Sequence, residues 1–341
     1  MQIRVGILTA PQIEFEQREK TFVLKNVRIG IGFHWDRHED QEFAGSLEIR
    51  NNADGTQTAI NTIDLEDYLC SVISSEMSAN SPMELLKAHA VISRSWAIRA
   101  IQKPNHEGFH VCADDHCQRY EGLRRMNERA VEAVRATKGQ VLVYDDEICD
   151  CRYYKCCGGK TEVWRTCWED IDVPYIQSVR CDWCKSPSPK VLRLVLNDYD
   201  QETKDFRDWR VSYTADELSE IIRTKSGIDF GEIIDLIPLK RGASGRIYEL
   251  QIVGSKHTEI IGKELKIRLW LSRTCLYSSW FEVEKEPSSF VPRHFVLKGH
   301  GWGHGAGLCQ IGAAVMASEG KSYEEILNYY YAGSRLSVAT L

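Results

Sequence analysis

The sequence predicts an α+β protein in which a helical core packs on β-rich regions, with an inserted mixed α/β subdomain and a cleft between them. Three observations favour this class. Short runs of alternating apolar and polar residues fill the first 63 positions, long amphipathic helical patterns follow, and strand and helix patterns mix again after about residue 190. The 341 residues suffice for two domains or one large domain with an insertion. We therefore expect a β-rich region over 1–63, a helical core over 64–189, an insert over 190–289 and a return to the core over 290–341.

Composition excludes two classes of partner. The 43 basic and 49 acidic side chains give a net charge of −6, which provides no basic surface for nucleic acid. No apolar run approaches the roughly 20 residues of a membrane-spanning helix. The first ten residues, MQIRVGILTA, alternate like a strand and lack the apolar segment of a secretory signal. We therefore expect either an intracellular protein or one whose signal is not part of this sequence.

The helix that follows the β-rich region carries the first candidate catalytic residue. Asp64 is a suitable N-cap, and an apolar stripe continues from it through Leu65, Leu69, Val72 and Ile73. Glu76 lies eleven positions after Leu65, three helical turns on, and so extends that apolar stripe. Burial penalises a charged carboxylate and prepares it to donate a proton near neutral pH. The alternative is a structural carboxylate paired with a cation such as Lys87.

Turn and cap signals predict the other elements. Ser81, Pro82 and Glu84 form a capping box that opens a second helix running to about Ile101, with Lys87 and Arg94 on one face that could line a cleft. A third helix is predicted over 127–138, closed by Gly139, and QVLVY with ICDCRYY predicts a hairpin. Later elements are a helix over 215–224, a strand in GRIYELQIVG, and helices over 311–318 and 324–331, the last with a capping box from Ser322 to Glu325.

A glycine-rich segment, HGWGHGAGLCQIGA over 300–313, precedes one of these helices. Its glycines allow backbone to approach a ligand closely, and His304 and Gln310 can orient polar groups of a substrate. The alternative is a glycine-rich turn with structural imidazoles.

Two groups of cysteines suggest metal. The segment HEGFHVCADDHCQRY offers His106, Cys112, His116 and Cys117, two nitrogens and two sulfurs that suit a closed, structural Zn²⁺ site. His110 competes with His106 for the first position, and a disulfide between Cys112 and Cys117 is the alternative.

A second group contains Cys156, Cys157, Cys167, Cys181 and Cys184, with CDWC supplying a Cys-x-x-Cys pair. The candidate ligands of a second metal are Cys157, Cys167, Cys181 and Cys184; a redox pair or buried thiols remain open.

Five blocks taken together resemble the stage II sporulation protein D family, which includes amidase-enhancer relatives. They are INTIDLEDYLCSVISSEM, PMELLKAHAVISRSWAI, HVCADDHCQRYEG, the GGKTE to PYIQSV stretch and HGWGHGAGLCQIGAAVMASEGKSYEEILNYYYAG, in that order. The resemblance implies a peptidoglycan lytic transglycosylase of the cell envelope or periplasm, which cleaves glycan strands after N-acetylmuramic acid to give 1,6-anhydro products. It places the catalytic glutamate on Glu76 and a structural zinc on the His106 group.

For binding the glycan, we select residues from these blocks: Lys87, Arg94, Gln118, Tyr120, Trp302, His304 and Gln310. Trp302 would stack on a sugar face. Two other functions stay open. One is a non-catalytic amidase enhancer or glycan-binding module that acts with a cell-wall amidase, and the other is a hydrolase with a catalytic zinc at the His106 group.

Overall fold

The computed structural model describes residues 1–31, 36–78, 80–114, 116–185, 187–196, 206–285 and 294–339. Over these residues the chain is a mixed α+β protein, as predicted. The helices are α1 Leu65–Glu76, α2 Met83–Gln102, α3 Glu128–Ala136, α4 Trp164–Cys167, α5 Pro189–Val195, α6 Ala215–Ser226, α7 Glu264–Trp270, α8 Gln310–Ser318 and α9 Tyr323–Tyr330, with a 3₁₀ turn at Asp182–Cys184. None of the helices in this part of the chain is long and apolar enough to cross a bilayer.

The strands of the first third are β1 Gln2–Ala10, β2 Phe15–Gln17, β3 Thr21–Ile29, β4 Arg37–Ala44, β5 Ser46–Asn51, β6 Gln57–Asp64 and β7 Val111–Cys112. Those that follow are β8 Gln140–Tyr144, β9 Glu147–Ile148, β10 Tyr153–Tyr154, β11 Asp208–Thr214, β12 Ile233–Arg241, β13 Ile247–Gly254, β14 Thr258–Ile261, β15 Phe281–Lys285, β16 His294–His300, β17 Leu308–Cys309 and β18 Arg335–Val338.

The N-terminal region is β-rich, as its alternating pattern indicates. It forms one sheet of order β5-β6-β1-β7 and another of order β2-β3-β4. Strand β1 pairs antiparallel with β6 along its length and parallel with the short β7, where Gly6 lies opposite Cys112. This pairing brings the predicted metal-binding segment onto the edge of the first sheet.

Helices α1, α2 and α3 pack against one another and against the sheets. The Asp64 side chain accepts a hydrogen bond from the Glu66 amide and so begins α1 as predicted. The predicted capping box of α2 is wrong, although the helix itself is confirmed. Ser81 donates its hydroxyl to the carbonyl of Leu194, and the Glu84 carboxylate binds Lys87 and the amide of Tyr323. Both side chains are therefore bonded to other groups, and neither caps α2.

A long-range parallel pair joins the middle of the chain to the glycine-rich segment. Strand β9 pairs with β8 to give the predicted hairpin, but the continuation at β10 pairs with β17, Tyr153 opposite Leu308 and Tyr154 opposite Cys309. Helix α8 begins directly after β17. The C-terminal helices α8 and α9 thereby pack onto α2, with α8 also against the 3₁₀ turn.

A second hydrophobic core lies in the later part of the chain, around Trp209, Phe281 and Leu297. Its limits differ from the predicted insert over 190–289. Val195 and Leu196 belong to the first core, whereas strand β16 pairs with β11 and β15 and belongs to the second. The predicted boundary at 289 lies outside the described residues.

The junction between the two cores is polar and buried. The Glu162 carboxylate, which is wholly buried, accepts hydrogen bonds from the amides of Val163, Ala243 and Ser244 and from the Ser244 hydroxyl. Arg246 extends this contact, because its buried guanidinium donates to the carbonyl of Gly303. The Glu162 amide also donates to the carbonyl of Gly305, so both Glu162 and Arg246 bind the glycine-rich segment.

Candidate functional site

Glu76 is the last residue of α1, and its carboxylate is half-buried. Leu65, Leu69, Val72 and Ile73 are fully buried on the same helix, so the apolar stripe directs Glu76 inward as its spacing predicts. Atom Oε1 of Glu76 accepts hydrogen bonds from the Arg119 amide at 3.0 Å and from the Tyr153 hydroxyl at 2.9 Å. Both donors stabilise the ionised carboxylate and so oppose the effect of burial.

A chain of polar side chains continues from Tyr153. Gln118 donates from Nε2 to the Tyr153 hydroxyl at 3.4 Å and accepts from the Tyr68 hydroxyl at 3.1 Å. Burial, the negative charge of Glu76 and the hydrogen bond to it raise the pKa of Tyr153 well above its ordinary value. The phenol therefore stays protonated, and its hydroxyl can donate to a carboxylate or accept from a carboxylic acid.

Two neutral histidines lie behind Tyr153. The His89 ring packs edge-on against the Tyr153 ring at 4.4 Å between centroids, and its Nε2 lies 3.0 Å from Nε2 of Gln310. His304 donates from Nε2 to the Tyr153 carbonyl at 3.0 Å, since its Nδ1 accepts from the Ala306 amide. Burial lowers the pKa of His89 to about 3 and the pKa of His304 well below its ordinary value. Both rings support Tyr153 as uncharged groups.

Three of the seven predicted glycan-binding residues belong to this network, namely Gln118, His304 and Gln310. Gln118 and Gln310 are almost fully buried, so they contact Tyr153 and His89 rather than open solvent. Tyr153 and His89 are further members of this network that were not predicted from the sequence. The signal for Tyr153 was weak, because only the pairing of β10 with β17 brings it to Glu76.

The other four residues lie outside this network. Arg94 is wholly buried and forms a two-bond ion pair with Glu66 at 2.8 and 2.7 Å. Tyr120 is also buried, and its hydroxyl donates to Asn61. Lys87 pairs with Glu84 at 2.7 Å and lies over the ring of Tyr323.

Trp302 is the fourth of these residues. Its side chain is largely buried, with the rings of Tyr277 and Phe206 packed against it and the ammonium of Lys155 over its face. The indole therefore has no free face for stacking on a sugar.

The first metal group assembles as the spacing predicts. His106, Cys112, His116 and Cys117 each offer one ligand atom, and these four atoms lie within 4.8 Å of one another. His110 is not part of the group, because its Nδ1 accepts a hydrogen bond from the Arg4 amide. Two nitrogens and two sulfurs fit tetrahedral Zn²⁺, and four protein ligands leave no position for a reacting water. Gln118 and Arg119 follow Cys117 directly, so this group anchors the segment that contacts Glu76.

The second group differs from the prediction by one ligand. Cys157, Cys181 and Cys184 meet, but the fourth sulfur is that of Cys309. Cys167 lies apart and its thiol contacts the carbonyl of His304. Cys156 is buried beside the four sulfurs without being one of them. No sequence pattern joins Cys309 to the group, because Cys309 lies 125 residues beyond Cys184, inside the glycine-rich segment.

Two family models match the chain. Residues 53–144 match a family described as stage II sporulation protein, and residues 162–307 match a domain of unknown function (DUF8618). The first match covers α1, α2 and the first metal group, and the second covers most of the later core.

Several relatives align with most of the chain. An uncharacterized protein of Brachyspira hyodysenteriae is 31% identical over 294 residues, which cover 86% of this chain and 71% of that protein. The stage II sporulation protein D of Bacillus subtilis is 28% identical over 299 residues, which cover 82% of this chain and 76% of that protein. The amidase enhancer of Bacillus subtilis is 27% identical over 78% of this chain but only 40% of its own length.

Proposed function

Because the chain belongs to the stage II sporulation protein D family, we propose that it is a peptidoglycan lytic transglycosylase whose general acid and base is Glu76. The observation that carries the proposal is the half-buried Glu76 carboxylate, which meets a tyrosine hydroxyl and a backbone amide at the end of an apolar helix. The substrate would be the glycan strand of the cell wall, stripped of stem peptides, and the site of action the cell envelope.

The proposed reaction needs one proton carrier. Protonated Glu76 donates its proton to the glycosidic oxygen as the bond to C1 of N-acetylmuramic acid breaks through an oxocarbenium-like state. The resulting carboxylate then removes the proton from the C6 hydroxyl of the same sugar, and that oxygen closes on C1. The product is a 1,6-anhydro sugar, Glu76 recovers its proton, and no water is consumed. No second carboxylate is therefore required.

The residues around Glu76 suit both halves of this cycle. The Arg119 amide stabilises the carboxylate formed in the first step. The Tyr153 hydroxyl can accept a hydrogen bond from the acid and donate one to the base, so it holds the Glu76 side chain in place in both forms. General acid–base catalysis contributes roughly 10²- to 10⁴-fold, so the binding of the strand must supply the remainder.

Zinc at the His106 group would act as a structural ion. Its four ligands come from one short segment that is continuous with the Gln118 and Arg119 contacts to the candidate site. Binding there would fix this segment against β1 and so preserve the donor to Glu76.

The test is product analysis of purified glycan strands by mass spectrometry. We expect the wild-type protein to release 1,6-anhydro products and Glu76→Gln, which keeps the size of the side chain, to release none. Glu84→Gln is the matched control on the neighbouring helix and should retain activity, since Glu84 pairs with Lys87 away from the network. Undiminished release by a folded Glu76→Gln protein would refute the proposal.

A second candidate function is stimulation of a cell-wall amidase without catalysis by this chain, favoured by the similarity to the amidase enhancer. The same preparations separate the two. If wild type and Glu76→Gln both accelerate a purified amidase and neither releases anhydro products, the chain is an enhancer.

A further inference from the structure

Four buried thiols from distant parts of the chain meet beside the candidate site. Cys157 follows β10, Cys181 precedes the 3₁₀ turn, Cys184 is the last residue of that turn, and Cys309 lies at the junction of β17 and α8. All four are fully buried, and their sulfur atoms lie within 4.8 Å of one another. Neither family match nor relative assigns this group a role.

The spacing of the sulfurs fits one tetrahedral metal ion. A Zn–S distance of about 2.3 Å places the sulfurs of a tetrahedral site about 3.8 Å apart. The sulfurs of Cys157 and Cys184 are 3.1 Å apart, and no pair in the group exceeds 4.8 Å. A multi-iron cluster sits between its thiolates and needs them farther apart. The group therefore has room for a single ion at its centre.

Hydrogen-bond donors surround the sulfurs. Three backbone amides and one hydroxyl contact them: Gly159 N on Cys157 Sγ at 3.3 Å, Cys157 N and Gly312 N on Cys309 Sγ at 3.3 and 3.4 Å, and Tyr330 Oη on Cys181 Sγ at 3.2 Å. Four thiolates around a divalent ion leave a net charge of −2, which is costly to bury without donors. Neutral thiols packed in an apolar core would need no such arrangement.

The backbone at the start of α8 also allows close contact with the sulfurs. A Cβ added at Gly312 would lie 2.7 Å from Cys181 Sγ and 2.3 Å from the Tyr330 hydroxyl oxygen. Cys309 is the N-cap of α8, so the positive end of the helix dipole faces its sulfur. A glycine in the first turn of α8 thus lets a helix start contact two of the four sulfurs.

We propose that Cys157, Cys181, Cys184 and Cys309 bind one thiophilic metal ion, Zn²⁺, at a second structural site. The ion joins the turn after β10 to the start of α8. Tyr153 lies in β10 just before that turn, and Gln310 is the first residue of α8, so the ion would stabilise the positions of residues that support Glu76. This inference concerns metal binding by the thiols and stands whether or not the chain cleaves glycan.

The test begins with the unmodified full-length protein. Elemental analysis should give two zinc ions per chain, and X-ray absorption at the zinc edge should give an average of three sulfurs to one nitrogen over both sites. A single site of the His106 type would give one zinc with equal numbers of sulfurs and nitrogens. That result, or a mass decrease that reports disulfides among the four cysteines, would overturn the proposal.

Variants then identify the ligands. Cys309→Ser should bind one zinc ion per chain, and Cys167→Ser, a buried cysteine outside the group, should bind two. Titration of the wild-type protein with Co²⁺ after zinc removal provides a readout that needs no substitution. Two equivalents with thiolate-to-cobalt charge-transfer absorption support the proposal. Equal zinc content in the two variants, or saturation of wild type and Cys309→Ser at the same number of Co²⁺ equivalents, contradicts it.

Discussion

The hydroxyl of Tyr153 donates a hydrogen bond to Oε1 of Glu76 across 2.9 Å, although 77 positions separate the two residues. The contact depends on the parallel pairing of β10 with β17 and on the packing of α1 in the first core. Tyr153 therefore links the proposed acid to the glycine-rich segment. We regard it as a positioning residue for Glu76.

Removal of this hydroxyl should weaken activity without abolishing it. A hydrogen bond to a charged group is worth about 1.5–3 kcal/mol, so Tyr153→Phe should lower the rate of glycan cleavage by about 10- to 100-fold. The loss of a donor to the carboxylate should also move the limb of the pH–rate profile that follows Glu76 toward higher pH. Rates measured from pH 4 to 8 check both effects.

Tyr154→Phe provides the matched control. Among the described residues, the Tyr154 hydroxyl is buried and has no hydrogen-bond partner. Its removal should leave the rate and the pH profile unchanged and leave stability equal or slightly higher. An equal loss of activity in both variants would argue against a specific role for Tyr153.

The ion pair between Arg94 and Glu66 should govern stability. Arg94→Met leaves the Glu66 carboxylate without its partner in a largely buried setting, which should cost about 3–5 kcal/mol in the free energy of unfolding. Lys87→Ala breaks a more exposed pair with Glu84 and should cost less than about 1 kcal/mol. Urea denaturation measures both values. If folded Arg94→Met instead raises KM with unchanged stability, the predicted glycan-binding role of Arg94 is correct.

Local periodicity was enough to predict part of the site. The helical spacing of apolar residues placed Glu76 on the inner face of α1, and the short spacing of histidines and cysteines identified the first metal group. Both arrangements depend on residues within about three helical turns or one loop. The spacing of residues in the sequence is therefore sufficient to predict them.

The rest depends on contacts between distant segments. The fourth sulfur of the second metal group is that of Cys309 and not that of Cys167, because the pairing of β17 with β10 brings the Cys309 sulfur close to Cys157. No local sequence pattern indicates this pairing. Likewise, Arg94 and Lys87 share a helix face by spacing, yet Arg94 finds Glu66 and the carbonyl of Gln140 inside the core. A seven-residue interval predicts that two side chains lie on the same face of a helix, but tertiary packing determines whether each of them is buried or exposed.

The zinc content of two variants should show that His106, and not His110, is a metal ligand. His106→Ala removes a ligand and should lose one zinc ion per chain, whereas His110→Ala removes an acceptor for the Arg4 amide and should keep it. Because binding at a closed site stabilises the fold, zinc loss should lower Tm and activity together. Elemental analysis and thermal unfolding measure these changes. Loss of activity on chelation at constant Tm, with recovery on added zinc, would instead favour a catalytic ion.

Acid should destabilise the protein through the buried His89. Burial and the nearby Lys155 hold the pKa of His89 at about 3, whereas the unfolded chain has an ordinary histidine pKa of about 6.5. Between these values the unfolded state binds the extra proton, so the free energy of unfolding falls as pH falls, by at most about 1.4 kcal/mol per pH unit. This contribution is fully present above pH 6.5 and is lost progressively toward pH 3.

Urea denaturation at a series of pH values from 7.5 to 5 gives the free energy of unfolding as a function of pH. This free energy should fall less steeply with falling pH for His89→Gln than for wild type, with the metal sites and His304 common to both proteins. Parallel curves would show that His89 is protonated in the folded state and does not support Tyr153 as a neutral ring.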